Sequence, residues 1–300
     1  MGAVYCDHMM PAEPLPRRRR WATVGALVQA SHPEPAVVVT AVAALLAYKL
    51  GQSGTGIATV ALTVLASQLA VGWSNDLLDA DRDATSQRPD KPVAAGRVGR
   101  PLVTWATALA AFATGALGFS FGVVPGLVAM VGLVTALAYN WPLKLGPLSV
   151  LPYAVSFAAL PAFVVLATPG GPRPPGWLLA GGGLLGAGAH FANALPDLAD
   201  DALTGVRGLP QRLGMRGSQL AAAALMVAAG VALAVGPPGP MSPAGIGISA
   251  VALLAIPAGW WGDRRDQRRG RRPTGSFRMV MVLAVVDTML LLNAAIGTAH

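Results

Sequence analysis

TGIATVALTVLASQLAVGWSNDLLDADRD, residues 55–83, joins two kinds of chemistry in one segment. From Thr55 to Asn75 no side chain is charged. A bilayer core about 30 Å thick takes roughly 20 apolar residues of helix, so this length suits a crossing. The run then ends in Asp76, Asp79, Asp81 and Asp83, four carboxylates within eight positions. A merely solvated helix end seldom needs so many. The segment predicts a membrane helix that carries an acidic site at its end.

Working outward, further apolar stretches are bounded by charge, Pro or Gly. They predict spans near 34–50, 55–76, 101–120, 122–140, 147–168, 176–196, 217–236, 241–262 and 277–298. The expected fold is an all-α integral membrane protein of about nine transmembrane helices. Composition agrees: 54% of residues are hydrophobic, 12% are charged and the mean hydropathy is +0.54. A soluble domain of this length is less apolar. Before the first span, Trp21–Ala30 follows Arg17–Arg20 and reads as an interfacial lead-in. No small-residue cleavage site follows it, which argues against a signal peptide. Residues 1–20 read as a polar, disordered basic tail, leaving 21–300 as the membrane domain. Cys6 is the only cysteine, which excludes an internal disulfide and argues against Cys-ligated zinc.

The net charge of +8 raises the question of a nucleic-acid partner, and the placement of the charges decides it. Basic residues fall in alternate inter-helix segments: Arg17–Arg20, then Arg82 to Arg100, Lys144, Arg207 to Arg216, and Arg264 to Arg278. Only Lys49 and Arg173 fall on the other side. The positive-inside rule then puts the N-terminus and the long loops in the cytoplasm and His300 outside. Basic loops so placed serve topology, anionic lipid head groups and an anionic substrate rather than nucleic acid. The expected location is the cell membrane, multi-pass.

On a helix that continues past the membrane, Asn75, Asp79 and Asp83 recur every four residues and share a face, with Asp76 beside them and Asp81 pointing elsewhere. Like charges at that spacing repel, so cations belong nearby. Hard oxygen donors suit Mg2+, which bridges carboxylates to substrate phosphates. A second cluster, Asn193, Asp197, Asp200 and Asp201, closes the sixth span with the same four-residue spacing at 193, 197 and 201. Shifting the chain by 118 positions lays Asn75 on Asn193, Asp79 on Asp197, Asp83 on Asp201, Pro92 on Pro210, Gly96 on Gly214 and Gly99 on Gly217. With Leu77 and Ala84 that makes 8 identities over 75–99, where about two would follow from average residue usage. The chain reads as two pseudo-repeated halves around a central cavity, an arrangement that places sites at the repeat interface.

Two acidic faces with Arg88, Lys91 and Arg207 nearby would bind a diphosphate through magnesium, and the apolar bundle beneath would take a hydrocarbon tail. That combination implies an isoprenyl diphosphate. Metal and basic side chains would stabilise charge on departing pyrophosphate and leave an allylic cation in a dry pocket.

These residues resemble the UbiA superfamily of intramembrane prenyltransferases. The match is to its motif NDxxDxxxD at Asn75, Asp76, Asp79 and Asp83 and its motif DxxxD at Asp197 and Asp201. The resemblance implies that these six residues hold Mg2+ and the diphosphate, with Asp76, Asp79, Asp83, Asp197 and Asp201 catalytic. Asn193 is a weaker addition. Members often carry a Tyr and a Lys in the loop after the fourth span, here Tyr139 and Lys144, with four residues between them rather than three. An Arg-Pro near the first span, which helps define the acceptor side in many members, is His32-Pro33 here.

His190 lies one turn deeper than the second motif, where it would either bind an acceptor or pair with a neighbouring helix. Tyr153, Phe157 and Phe191 would either line the substrate or pack. Asp287, near the middle of the last span, needs a partner or a cavity, with Thr288 and Asn293 as candidates. The glycines from Gly181 to Gly188 read as a close helix contact. The expected activity is Mg2+-dependent transfer of an isoprenyl group from its diphosphate to an apolar, aromatic acceptor. The alternative is a terpene cyclase acting on the diphosphate alone.

Overall fold

The computed structural model describes residues 17–85, 91–196, 198, 205–269 and 275–294. Among these the regular structure is helical: α1 (Arg17–Ala30), α2 (Pro33–Lys49), α3 (Gly54–Thr85), α4 (Arg100–Phe119), α5 (Val123–Asn140), α6 (Val150–Leu166), α7 (Gly176–Ala194), α8 (Leu209–Val235), α9 (Pro243–Arg268) and α10 (Gly275–Ala294). Each predicted span falls on one of α2 to α10. Gly54–Thr85, Arg100–Phe119, Val123–Asn140 and Leu209–Val235 are long and apolar enough to cross a membrane alone, and α1 and α2 form a pair bent by 66°.

Several boundaries differ from the sequence reading. The tail expected over 1–20 overlaps α1, which begins at Arg17. α3 runs 32 residues to Thr85, about 48 Å at 1.5 Å per residue, so the helix continues past the span read over 55–76. α8 starts at Leu209 rather than 217, and its two pieces meet at Gly214, whose φ of 67° and ψ of −178° are not helical.

Consecutive helices pack on each other from α2 onwards, except that α8 meets α10 more extensively than α9, and α10 also touches α2 and α7. The ring so closed surrounds a central cavity. Its outward side is apolar: Trp105, Leu109 and Phe112 on α4 are exposed, as lipid-facing residues should be. The 118-residue shift lays α2 onto α6 within one residue and overlaps α3, α4 and α5 with α7, α8 and α9, with ends that differ by up to ten residues. Four helices per unit return the chain to the side it began on, so both units present their acidic ends in the same direction.

The elbow between α1 and α2 is held by close packing. His32 has φ 53° there, and a Cβ on Gly72 of α3 would lie 2.3 Å from the carbonyl oxygen of Ser31. Only a glycine admits the elbow at that depth. The elbow thereby reaches the same end of the bundle as the first acidic cluster. The glycine-rich part of α7 also packs closely, since a Cβ on Gly186 would lie 2.4 Å from that of Phe157 on α6.

Candidate active site

The extension of α3 beyond the membrane brings Asn75, Asp79 and Asp83 onto one wall of a cavity of about 630 Å3. Lys144 reaches it from the short 3-10 turn Leu143–Leu145 between α5 and α6, and its Nζ pairs with Asp79 Oδ1. Arg82, one turn along α3, meets Asp79 Oδ2 at 2.9 Å. The Asn75 Nδ2 donates to Asp79 Oδ2 at 3.3 Å and to Asn140 Oδ1 at 3.4 Å. Asn140 is fixed in turn by donating to the Val71 carbonyl at 2.9 Å. Because Asn75 spends its nitrogen on both bonds, its Oδ1 is the atom left to meet a ligand. Burial pulls the Lys144 ammonium below the usual lysine range, and the Asp79 carboxylate pulls the other way.

Asp76 faces a different task. It is 1% exposed, does not line the cavity, and its Oδ2 accepts the Val93 N–H at 3.1 Å. Lys91 lies 3.6 Å from Asp76 Oδ1 and 4.0 Å from Asp83 Oδ2, and 3.3 Å from His32 Nε2. Asp76, read from the sequence as lying beside that face, is not among the residues that line the cavity. One residue along a helix turns the side chain by 100°, and that rotation points Asp76 at the turn formed by 91–99. There it anchors the segment that covers the site. Lys91 likewise sits against the carboxylates rather than reaching past them.

Across the cavity, α7 contributes His190 and Asn193. Tyr139 makes an edge contact with Tyr153, the centroids 4.8 Å apart, and with His190 at 5.5 Å. Tyr153 stacks with Phe157 at 6.1 Å, and its hydroxyl is in reach of Asn193 and Tyr139. Phe157 and Phe163 continue the wall into the apolar depth. Phe191, which the sequence set beside them, packs instead into the core around Met226 and Leu283.

Three candidates, Arg88, Asp197 and Asp201, lie outside the described residues. α7 ends at Ala194, three residues before Asp197. Arg207 is exposed before α8, and the cavity is lined by Val206 and Gln211 instead. No group of three or more His, Cys, Asp or Glu side chains among the described residues is arranged to hold a metal. The first motif offers hard oxygens, but a complete ligand set would draw on the second.

Sequence reasoning passed over Arg82, Asn140 and Ser149. Arg82 had a signal, its i,i+3 spacing from Asp79. Asn140 had only its position beside Tyr139. Asp287 lies fully buried outside the cavity, with neither carboxylate oxygen hydrogen-bonded. Its two expected partners are engaged elsewhere, Thr288 with the Ala284 carbonyl and Asn293 with Ser242.

Solved structures share this fold. A UbiA homologue from Archaeoglobus fulgidus bound to GPP and Mg2+ superposes with a TM-score of 0.66 at 14% identity, over 90% of this chain and 99% of that one. An apo UbiA homologue from Aeropyrum pernix K1 gives 0.63 at 19% identity, over 90% and 98%. A digeranylgeranylglyceryl phosphate synthase gives 0.63 at 15% identity, over 91% and 99%. No curated protein sequence matches the chain. The profile of the UbiA prenyltransferase family matches residues 36–284, and with that coverage the chain belongs to the UbiA prenyltransferase family.

Proposed function

We propose that this protein transfers an isoprenyl group from a prenyl diphosphate to an apolar, aromatic acceptor and releases pyrophosphate, with Mg2+ as cofactor. The observation that carries the reading is the cavity itself. Asn75, Asp79, Asp83, Arg82 and Lys144 gather at its head, and apolar and aromatic side chains line its depth. The Archaeoglobus fulgidus homologue binds GPP or DMAPP with Mg2+ in the same fold.

The donor set fits the metal: carboxylate and amide oxygens are the ligands Mg2+ prefers. Asn75, Asp79 and Asp83 would hold it together with Asp197 and Asp201. The bound metal would neutralise the diphosphate and the charge that grows on the leaving group. Lys144 and Arg82, already within reach of Asp79, add positive charge at the head of the cavity. The diphosphate therefore sits at the head and the isoprenyl chain runs toward Phe157 and Phe163. The allylic carbon, bonded to the diphosphate, would lie at the head, where aromatic rings of the wall would stabilise positive charge as it develops and the apolar walls would exclude water. Arg207, with Arg88 by its place in the sequence, would supply further positive charge for the diphosphate, on the side that the positive-inside rule assigns to the cytoplasm with the N-terminus, where the basic loops would meet anionic lipid.

The test is to incubate purified protein and Mg2+ with prenyl diphosphates of several lengths, with and without a panel of aromatic acceptors, and to identify products by mass. A mass equal to acceptor plus prenyl group is expected. A cyclic hydrocarbon formed without acceptor would replace this reading with the cyclase. Orientation is tested by labelling cysteines introduced at Ala95 and Arg216 after removal of Cys6. Both should react from the cytoplasmic side.

A further inference from the structure

His190 is 2% exposed and lines the cavity between Tyr139 and Tyr153. One of its ring nitrogens is tied to the protein and the other is not. Nε2 lies 3.0 Å from the hydroxyl of Ser149, a residue with no exposed surface. That hydroxyl also accepts the Leu209 N–H at 2.9 Å. A serine hydroxyl has one hydrogen to give. With Leu209 as its donor, the acceptor in reach for that hydrogen is Nε2. Had Nε2 carried the proton, the Ser149 hydrogen would have no partner in a site closed to water, which buried polar groups avoid. The pair therefore holds a neutral imidazole with its proton on Nδ1. Nδ1 itself is buried and finds no hydrogen-bond partner among the described residues.

We propose that His190 Nδ1–H is the hydrogen-bond donor for an oxygen substituent of the acceptor, and that Ser149 is the positioning residue that fixes it as a donor. The proposal rests on the transferase reading and narrows its acceptor to oxygenated aromatics, phenols or quinone-like carbonyls. A hydrocarbon ring of the same shape would leave the donor unsatisfied, and sites built to bond an oxygen reject analogues that lack it far more strongly than apolar pockets reject an added hydroxyl. The Tyr139, Tyr153 and Phe157 rings supply the flat apolar faces that such a molecule would stack on. The Ser149 link also ties this donor to the start of α8, because Leu209 is the first residue of that helix.

Two measurements test it. The first needs no substrate: 15N spectra of protein labelled at histidine, with the signal assigned by its loss in His190→Phe, report the tautomer. A protonated Nδ1 and unprotonated Nε2 are expected, with the preference lost in Ser149→Ala. A protonated Nε2, or an imidazolium, would overturn the proposal. The second compares 2-naphthol with 2-methylnaphthalene as acceptors for geranyl diphosphate. Preference for the naphthol by ten-fold or more in kcat/KM is expected. In His190→Phe it should collapse through a raised acceptor KM, and His190→Gln, which keeps an N–H donor, should restore part of it. Equal use of both acceptors by the unmodified protein, or an unchanged preference in His190→Phe, would overturn it. Failure to release pyrophosphate with any acceptor would instead refute the transferase reading, and the tautomer measurement would still stand.

Discussion

Gly96 and Gly214, 118 positions apart, both have a positive φ, 67° in each. Both follow a proline by four residues and precede a glycine by three. Each comes just before a membrane helix, α4 in the first half and the long part of α8 in the second. The internal repeat is thus visible in backbone conformation as well as residue identity. It lies in the two turns that follow the acidic motifs.

An alanine at either position should destabilise the protein through backbone strain alone. A Cβ would meet nothing within 4 Å at Gly96 or Gly214, so no steric clash enters. A backbone held at this positive φ costs an L-residue about 1–3 kcal/mol, partly offset by the smaller entropy of the unfolded alanine chain. Thermal unfolding in detergent should show a lower midpoint for Gly96→Ala and Gly214→Ala. An unchanged midpoint for both alanines would show that the turns are not held as described.

Gly186→Val tests a different kind of glycine. A Cβ there would meet the Phe157 Cβ at 2.4 Å and the Tyr153 carbonyl oxygen at 2.5 Å, so α6 and α7 must separate. A loss of about 1–3 kcal/mol, as for overpacked cores, is expected in unfolding experiments. Because Tyr153 and Phe157 also form the cavity wall, the KM for substrate should rise with it. Retained stability and KM would argue against this helix contact.

Much of this was legible in the sequence, because the bilayer imposes strong constraints. Span lengths follow from solvation, and among the described residues α2 to α10 lie where the nine apolar runs were read. The four-residue spacing placed Asn75, Asp79 and Asp83 on one wall because a helix fixes that periodicity. What escaped depends on rotation and on contacts between distant segments. Asp76 differs from its neighbours only by the 100° turn that aims it at Val93. Ser149 gave no local sign that it would meet His190 and Leu209 from two other elements. Arg207 looked equivalent to Lys91 in the basic loops, yet it faces outward while Lys91 is buried against Asp76.

Replacing Asp76 should act on the covering turn before it acts on chemistry. Asp76→Ala removes the acceptor for the buried Val93 N–H, and an unpaired buried group costs about 1–3 kcal/mol. It also removes one of the two carboxylates within 4.0 Å of Lys91. Amide hydrogen exchange across 91–99 should accelerate, with exchange in α4 little changed. Asp76→Asn keeps an oxygen acceptor and should protect the turn better than alanine does. Equal exchange in all three proteins would show that Asp76 is not the anchor.

Asp79 and Asp197 should behave as parts of one unit. Asp79 joins Lys144, Arg82 and Asn75 at the head of the cavity, and Asp197 is its counterpart under the 118-residue shift. If both carboxylates bind the same metal-bridged diphosphate, losing either one leaves the leaving group half-neutralised. Asp79→Asn or Asp197→Asn should each lower the rate of pyrophosphate release by roughly 10^2 to 10^4, the size of effect seen when electrostatic stabilisation of a transition state is removed. The double substitution should cost far less than the product of the two, because groups acting together are not additive. Lys144→Met separates the parts further. It removes the ammonium paired with Asp79 but leaves Arg82 beside that carboxylate, so its effect should fall below that of Asp79→Asn. Rates are measured at saturating Mg2+ and geranyl diphosphate, and geranyl diphosphate affinity is measured separately. Full activity in either single aspartate variant would end the assignment of a shared site, and strict multiplication of the two losses would show that they act on different steps.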